Sequence, residues 1–253
     1  MSPNGTDANG LSAKPVPRAL TSKQERRLVD FLDETFLQLT RNFKKRSEAS
    51  SKAQTLPAYL EETRHILALI LQIPPIDPST SLRTAYLLRL TGDSLGSIPG
   101  YKIGTGDGVR EILQDLADFL DDLDQAWVAV LKGQVWDPRT AEGVDLNINT
   151  DSSALPRPLK SSPPSQTDLT RLRSLLLSGE SALEDWMSND GAQGDEAAPD
   201  ESEDVSTMLD RLGLLDDFDS LFARTFGLLG EFGGDNSAQD LNSDLADTME
   251  LDL

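Results

Sequence analysis

Asp121, Asp122 and Asp124 place three hard oxygen donors within four positions, which by number alone would suit a calcium ion. They lie inside a helical repeat, however, and have neither the central glycine nor the closing glutamate of an EF-hand loop, so the expectation is a solvated helix face. The run Gly104-Thr105-Gly106-Asp107-Gly108 is where a phosphate would be cradled. It carries no lysine, follows no strand and puts Asp107 where the anion would sit, which makes it a plain loop between helices. His65 is the single histidine, set on the Glu61, Glu62 and Leu69 side of its helix. With no second histidine to pair with, it reads as a half-exposed bystander. Cysteine is absent altogether, which removes disulfides, thiolate nucleophiles and Cys/His zinc sites, and a Ser-His-Asp triad has one base to draw on. No convergent pair of acids can be placed either. The expectation is therefore a protein that is not an enzyme, with no catalytic residue, no metal ligand, no cofactor and no small-molecule substrate.

Charge says more than chemistry. The 253 residues hold 23 Lys and Arg against 43 Asp and Glu, a formal net of −20. Residues 1–46 are net +4 and residues 195–253 are net −15, so the front is mildly basic and the end strongly acidic. An acidic end repels phosphate, and direct nucleic-acid binding is not expected. Basic protein surfaces are the better partners. The longest apolar runs, such as Ile66 to Leu71, are six residues, far short of the roughly 20 a membrane span needs.

The elements that must carry these residues are helical. Ser22 with Glu25 resembles a capping box, and Leu28, Phe31, Leu32, Phe36, Leu39 and Phe43 follow at three-and-four spacing. Lys44, Lys45 and Arg46 sit where the negative end of that helix dipole favours cations. Thr55 and Pro57 open a second helix along Leu60, Thr63, Leu67, Ile70 and Ile73. Asp77 and Pro78 open a third through Leu82, Tyr86, Leu87, Leu88 and Leu90, apolar over a wide arc and expected at the centre, with Gly92 ending it. A fourth carries Ile112, Leu116, Phe119, Leu123, Trp127 and Val130, with Gly133 as its stop. Beyond Pro138 the chain turns to Asn, Ser, Thr and Pro up to Pro164; Ser165 and Asp168 then cap a helix with Leu169, Leu172, Leu176, Leu183 and Trp186 on one face. No period-2 strand pattern is found.

The expected fold class is all-α, an irregular bundle of four to five helices with a disordered N-terminus, a linker and an acidic C-terminal tail. Its parts are a leader (1–19), the bundle (20–138), a Pro/Ser linker (139–164), a helix packing on the bundle (165–188), an acidic linker (189–204), an acidic amphipathic helix (205–232) and a tail (233–253). The 205–232 segment is the candidate site. Leu215, Phe218, Phe222, Phe226 and Leu229 share one side of a helix while Asp210, Asp216, Asp217 and Asp219 crowd elsewhere, a pattern suited to a hydrophobic groove with a basic rim on a partner. The alternative is a further core helix.

Two stretches, Ser81 to Asp93 running on to Ile98-Pro99-Gly100-Tyr101, and Leu116 to Pro138 with Asp121-Asp122-Leu123-Asp124-Gln125-Ala126-Trp127 and Val135-Trp136-Asp137-Pro138, together with the helix from Leu28 to Arg46, resemble the fungal family of subunit 11, the sixth TFB subunit, of the transcription factor TFIIH. The resemblance covers about residues 20–138 and lies in helix texture and order. It implies a nuclear, non-enzymatic accessory subunit in transcription, associated with TFIIH and acting on its helicase subunit. It assigns no functional residue. A helical scaffold or adaptor of a cytoplasmic or cytoskeletal assembly is the competing expectation from the residues alone.

Overall fold

The computed structural model describes residues 18–103, 108–146, 160–191 and 205–234. The glycine loop at 104–107, most of the leader (1–17), part of the Pro/Ser linker (147–159), most of the acidic linker (192–204) and the tail from 235 lie outside the described residues. The fold is all-α: α1 (Ser22–Lys44), α2 (Leu56–Leu71), α3 (Ser79–Ser97), a 3₁₀ turn (Ile98–Gly100), α4 (Val109–Leu131), α5 (Gln166–Gly191), α6 (Val205–Leu212), α7 (Leu215–Asp219) and α8 (Ala223–Gly234), with a hairpin of β1 (Val135–Asp137) and β2 (Glu142–Val144).

Local chemistry sets most helix ends. Thr55 accepts from the Ala58 amide and starts α2. Gly133, at φ +64°, stops the chain after α4. Ser165 and Asp168 satisfy each other at the start of α5, Ser165 Oγ accepting from the Asp168 amide and the Asp168 carboxylate accepting from the Ser165 amide. At α1 the capping box is one residue earlier than expected. Thr21 Oγ1 accepts from the Gln24 amide and Gln24 Oε1 accepts from the Thr21 amide, because Gln24 rather than Glu25 lies three residues beyond the cap. Asp77 does not cap α3. Its carboxylate accepts from the Ser162 amide at 3.2 Å and hydroxyl at 2.6 Å, tying the chain before α5 to the start of α3. The Ser162 hydrogen bonds hold the Asp77 carboxyl below the usual carboxylate range.

The core is continuous across α1 to α5. Leu87, Leu116, Phe119 and Leu123 are at 0% exposure and Trp127 is at 1%, its indole N–H donating to Thr91 Oγ1 at 2.9 Å. Helix α3 is buried on several sides, and Gly92 does not end it. The helix runs on to Ser97, since one glycine inside a helix costs only about 1 kcal/mol; a Cβ at Gly92 would make ordinary contact with Leu175 Cδ2 at 3.4 Å, whereas one at Gly179 of α5 would collide with Leu95. Gly179 thus lets α3 and α5 approach, offsetting a helix-propensity cost of about 1 kcal/mol. Leu169, Leu172, Leu176, Leu183 and Trp186 of α5 are all buried there, and the Trp186 indole donates to the Tyr101 carbonyl.

Two further sequence expectations need correction. Phe31 was placed on the buried stripe of α1 but is 54% exposed, since the inward face is centred on Leu32, Phe36 and Leu39. The absence of strands fails at the hairpin, where Val135 pairs with Val144 and Asp137 with Glu142 inside the segment assigned to bundle end and linker. Strands of three residues are too short to show a period of two. The core also holds a cation: Arg83, 1% exposed, donates to the Gln134 carbonyl at 2.6 Å, and burial lowers its pKa to about 10.

Candidate protein-interaction surface

The 205–232 segment is not one helix. Gly213 at φ +70° and Phe222 at φ +53° break it into α6, α7 and α8. Glycine takes the left-handed region without penalty and gave a signal in the sequence; phenylalanine does not, and is held there by its burial. The residues singled out as partner anchors turn toward the chain's own helices. Phe222 is 1% exposed, Leu229 6% and Phe218 8%, all within the continuous core, while Leu215 and Phe226 are half-buried against it. In this structure, packing on α4 and α5 occupies the aromatic stripe that the sequence assigned to a partner.

An ionic clamp fixes that packing. Asp124, nearly buried on α4, accepts from Arg224 Nε at 2.8 Å and from the Thr225 amide at 3.0 Å. Arg224 also reaches the Asp121 carboxylate, and Arg110 on α4 donates to the Leu212 carbonyl at 3.0 Å. Burial works against the charge on Arg224, but the hydrogen bond and charge of Asp124, then those of Asp121, more than compensate and raise its pKa. Two of the three aspartates that resembled calcium ligands thus grip an arginine about a hundred residues later in the chain. Only two cations, Arg211 and Arg224, stand among the acids of residues 195–253; an isolated arginine in such a run was the available signal.

What α7 and the turn at 220–222 leave against α4 is a groove of about 470 Å³. Its walls carry Asp118, Asp121, Asp122 and Asp217, and its apolar lining includes Leu120 and Phe222. Asp118 and Asp217 have no ion pair among the described residues. Burial raises the Asp122 pKa, Arg64 at 3.6 Å opposes this, and neighbouring Asp121 and Asp118 add to it. The arrangement can receive a guanidinium or ammonium with its alkyl stem. His65 is exposed, its Nδ1 lying 2.7 Å from the Glu61 carbonyl. At the other end of α1, Arg46 donates to the carbonyls of Gly100 and Phe43 and lies 4.5 Å over the Phe43 ring, so part of the Lys44 to Arg46 cluster is spent on closing that helix.

No helix among the described residues is long and apolar enough to cross a membrane. Comparison with protein-family models, curated proteins and solved structures found no match to the chain.

Proposed function

We propose that the protein is a non-catalytic helical accessory subunit that binds other proteins, and that it works in the nucleus with TFIIH as a transcription factor subunit acting on that complex's helicase. The acidic groove between α4 and α7 supports the protein-binding part of this reading. It gathers carboxylates over apolar side chains, which suits a basic partner surface presenting Lys or Arg stems. The TFIIH part rests on the resemblance of α1 to α4. In this reading the acids of α7, Asp216, Asp217 and Asp219, stay exposed to meet the partner while Phe218 and Phe222 hold the helix in place.

Affinity purification of the tagged full chain with mass spectrometry tests it. The expected result is co-purification of TFIIH subunits, weakened by added salt and by Asp118→Lys with Asp217→Lys, and a nuclear signal for the tagged protein. Enrichment of cytoskeletal or other cytoplasmic proteins without any TFIIH subunit would return the chain to the scaffold reading.

A further inference from the structure

The first two turns of α1 break a rule that the rest of the helix keeps. Lys23, Arg26 and Arg27 are exposed there, and none has an ion pair among the described residues. The positive end of a helix dipole favours anions, so Lys23 in the first turn opposes it, and Arg26 and Arg27 follow in the next turn without an acid partner among the described residues. Glu25 is the one acid in the first turn. At the far end of α1 the opposite holds: Arg41 and Lys44 sit at the negative pole, and Arg41 is 3.6 Å from Glu34. A chain of net charge −20 has nevertheless gathered three cations, unpaired among the described residues, at the start of this helix. Positions at which a sequence departs from local electrostatic preference are where function is to be sought.

A second observation lies on the same row. Lys23, Arg27 and Phe31 are spaced four apart and so share one face. Phe31, 54% exposed, is the most exposed of the large apolar side chains described. A shallow depression lined by Ser22, Lys23, Arg26, Arg27 and Asp30 adjoins this row; Asp30 is the one carboxylate on it.

We propose that this row is a docking surface for an acidic segment of another protein, offering carboxylates to Lys23, Arg26 and Arg27 and an aromatic or aliphatic side chain to Phe31. Charge complementarity selects the partner's sign, and the exposed ring selects a segment that also carries apolar residues. A nucleic-acid strand is disfavoured, because beyond three cations it would meet the field of a strongly acidic protein. The surface is distinct from the acidic groove and opposite in sign, so the two proposals fail separately. Together they describe a chain able to bridge a basic partner and an acidic one.

The test is fluorescence anisotropy of a labelled peptide of four Glu-Glu-Phe repeats titrated with the full-length protein at low salt. The triple variant Lys23→Glu, Arg26→Glu, Arg27→Glu is expected to weaken binding by about tenfold or more, and Phe31→Ser by severalfold. The triple variant should keep the wild-type circular dichroism and melt no lower, since its new acids suit the helix dipole. Asp118→Lys with Asp217→Lys should not weaken binding of the peptide. Equal affinity for wild type and triple variant overturns the proposal. So does a single-stranded oligonucleotide of matched charge that binds more tightly than the peptide, or a self-association in solution that the triple variant abolishes, which would assign the row to a second copy.

Discussion

The guanidinium of Arg224 on α8 stands 2.8 Å from the carboxylate of Asp124 on α4, whose side chain is 3% exposed. The contact joins the last helices to the bundle. Asp124 also accepts from the Thr225 amide, so the buried charge is doubly held. Removing Arg224 leaves a buried acceptor short of one partner, a penalty of about 1–3 kcal/mol, reduced here because Arg224 itself is half in water. Arg224→Ala is expected to raise amide exchange selectively across α6 to α8 while leaving α2 to α4 protected. Uniform protection in both proteins would show that the clamp is not what holds the segment.

Phe222 carries the apolar share of the same attachment. At 1% exposure, its truncation to alanine is expected to cost about 3–5 kcal/mol locally. The backbone there is already in the left-handed region, so Phe222→Gly should regain a fraction of that loss by relieving the φ penalty. Thermal melts of the two variants decide it, with the glycine variant expected to melt higher than the alanine variant.

Leu87→Asp or Leu123→Asp should abolish folding. Each side chain is at 0% exposure, and an unpaired carboxylate there costs several kcal/mol against a total stability of about 5–15. His65→Ala, on the surface of α2, should leave the melting temperature within a degree or two of wild type.

The Asp77 to Ser162 contact makes an acid-labile tie. Its hydrogen bonds lower the folded-state pKa of Asp77, so the stabilisation is complete above the ordinary carboxylate pKa and is lost as pH falls through the lowered one. The contribution is about 1 kcal/mol, below the roughly 1.5–3 kcal/mol of hydrogen bonds to charged groups because Asp77 is partly in water. Ser162→Ala should reduce the melting temperature near neutrality, and the gap from wild type should narrow as the pH is brought toward 3. A gap independent of pH would mean that the ionised carboxylate is not the acceptor that matters.

Features fixed by neighbours in sequence were legible, and those fixed by distant residues were not. Thr55, Gly133 and the Ser165 to Asp168 pair act within a single turn, so their types and spacing announce them. The inward stripe of α4, from Leu116 to Val130, repeats often enough to show its period. Gly92 reads as a break because the leucine it packs beside, Leu175, arrives 83 positions later. Asp124 looked solvated because its arginine comes still later. The aromatic stripe of 205–232 was visible, but amphipathicity records only that a face is to be covered. It does not distinguish a foreign groove from α4 of the same chain.

The separation between Asp124 and Arg224 also orders events on the ribosome. The two residues are 100 positions apart, and at a synthesis rate of about 5–20 residues per second the helix bearing Asp124 is complete roughly 5–20 s before its arginine is made. During that interval the inner face of α4 that will receive Phe222 has no permanent cover, and hydrophobic sites on chaperones have access to it. A stop codon placed before Arg224 would release the chain with that face uncovered.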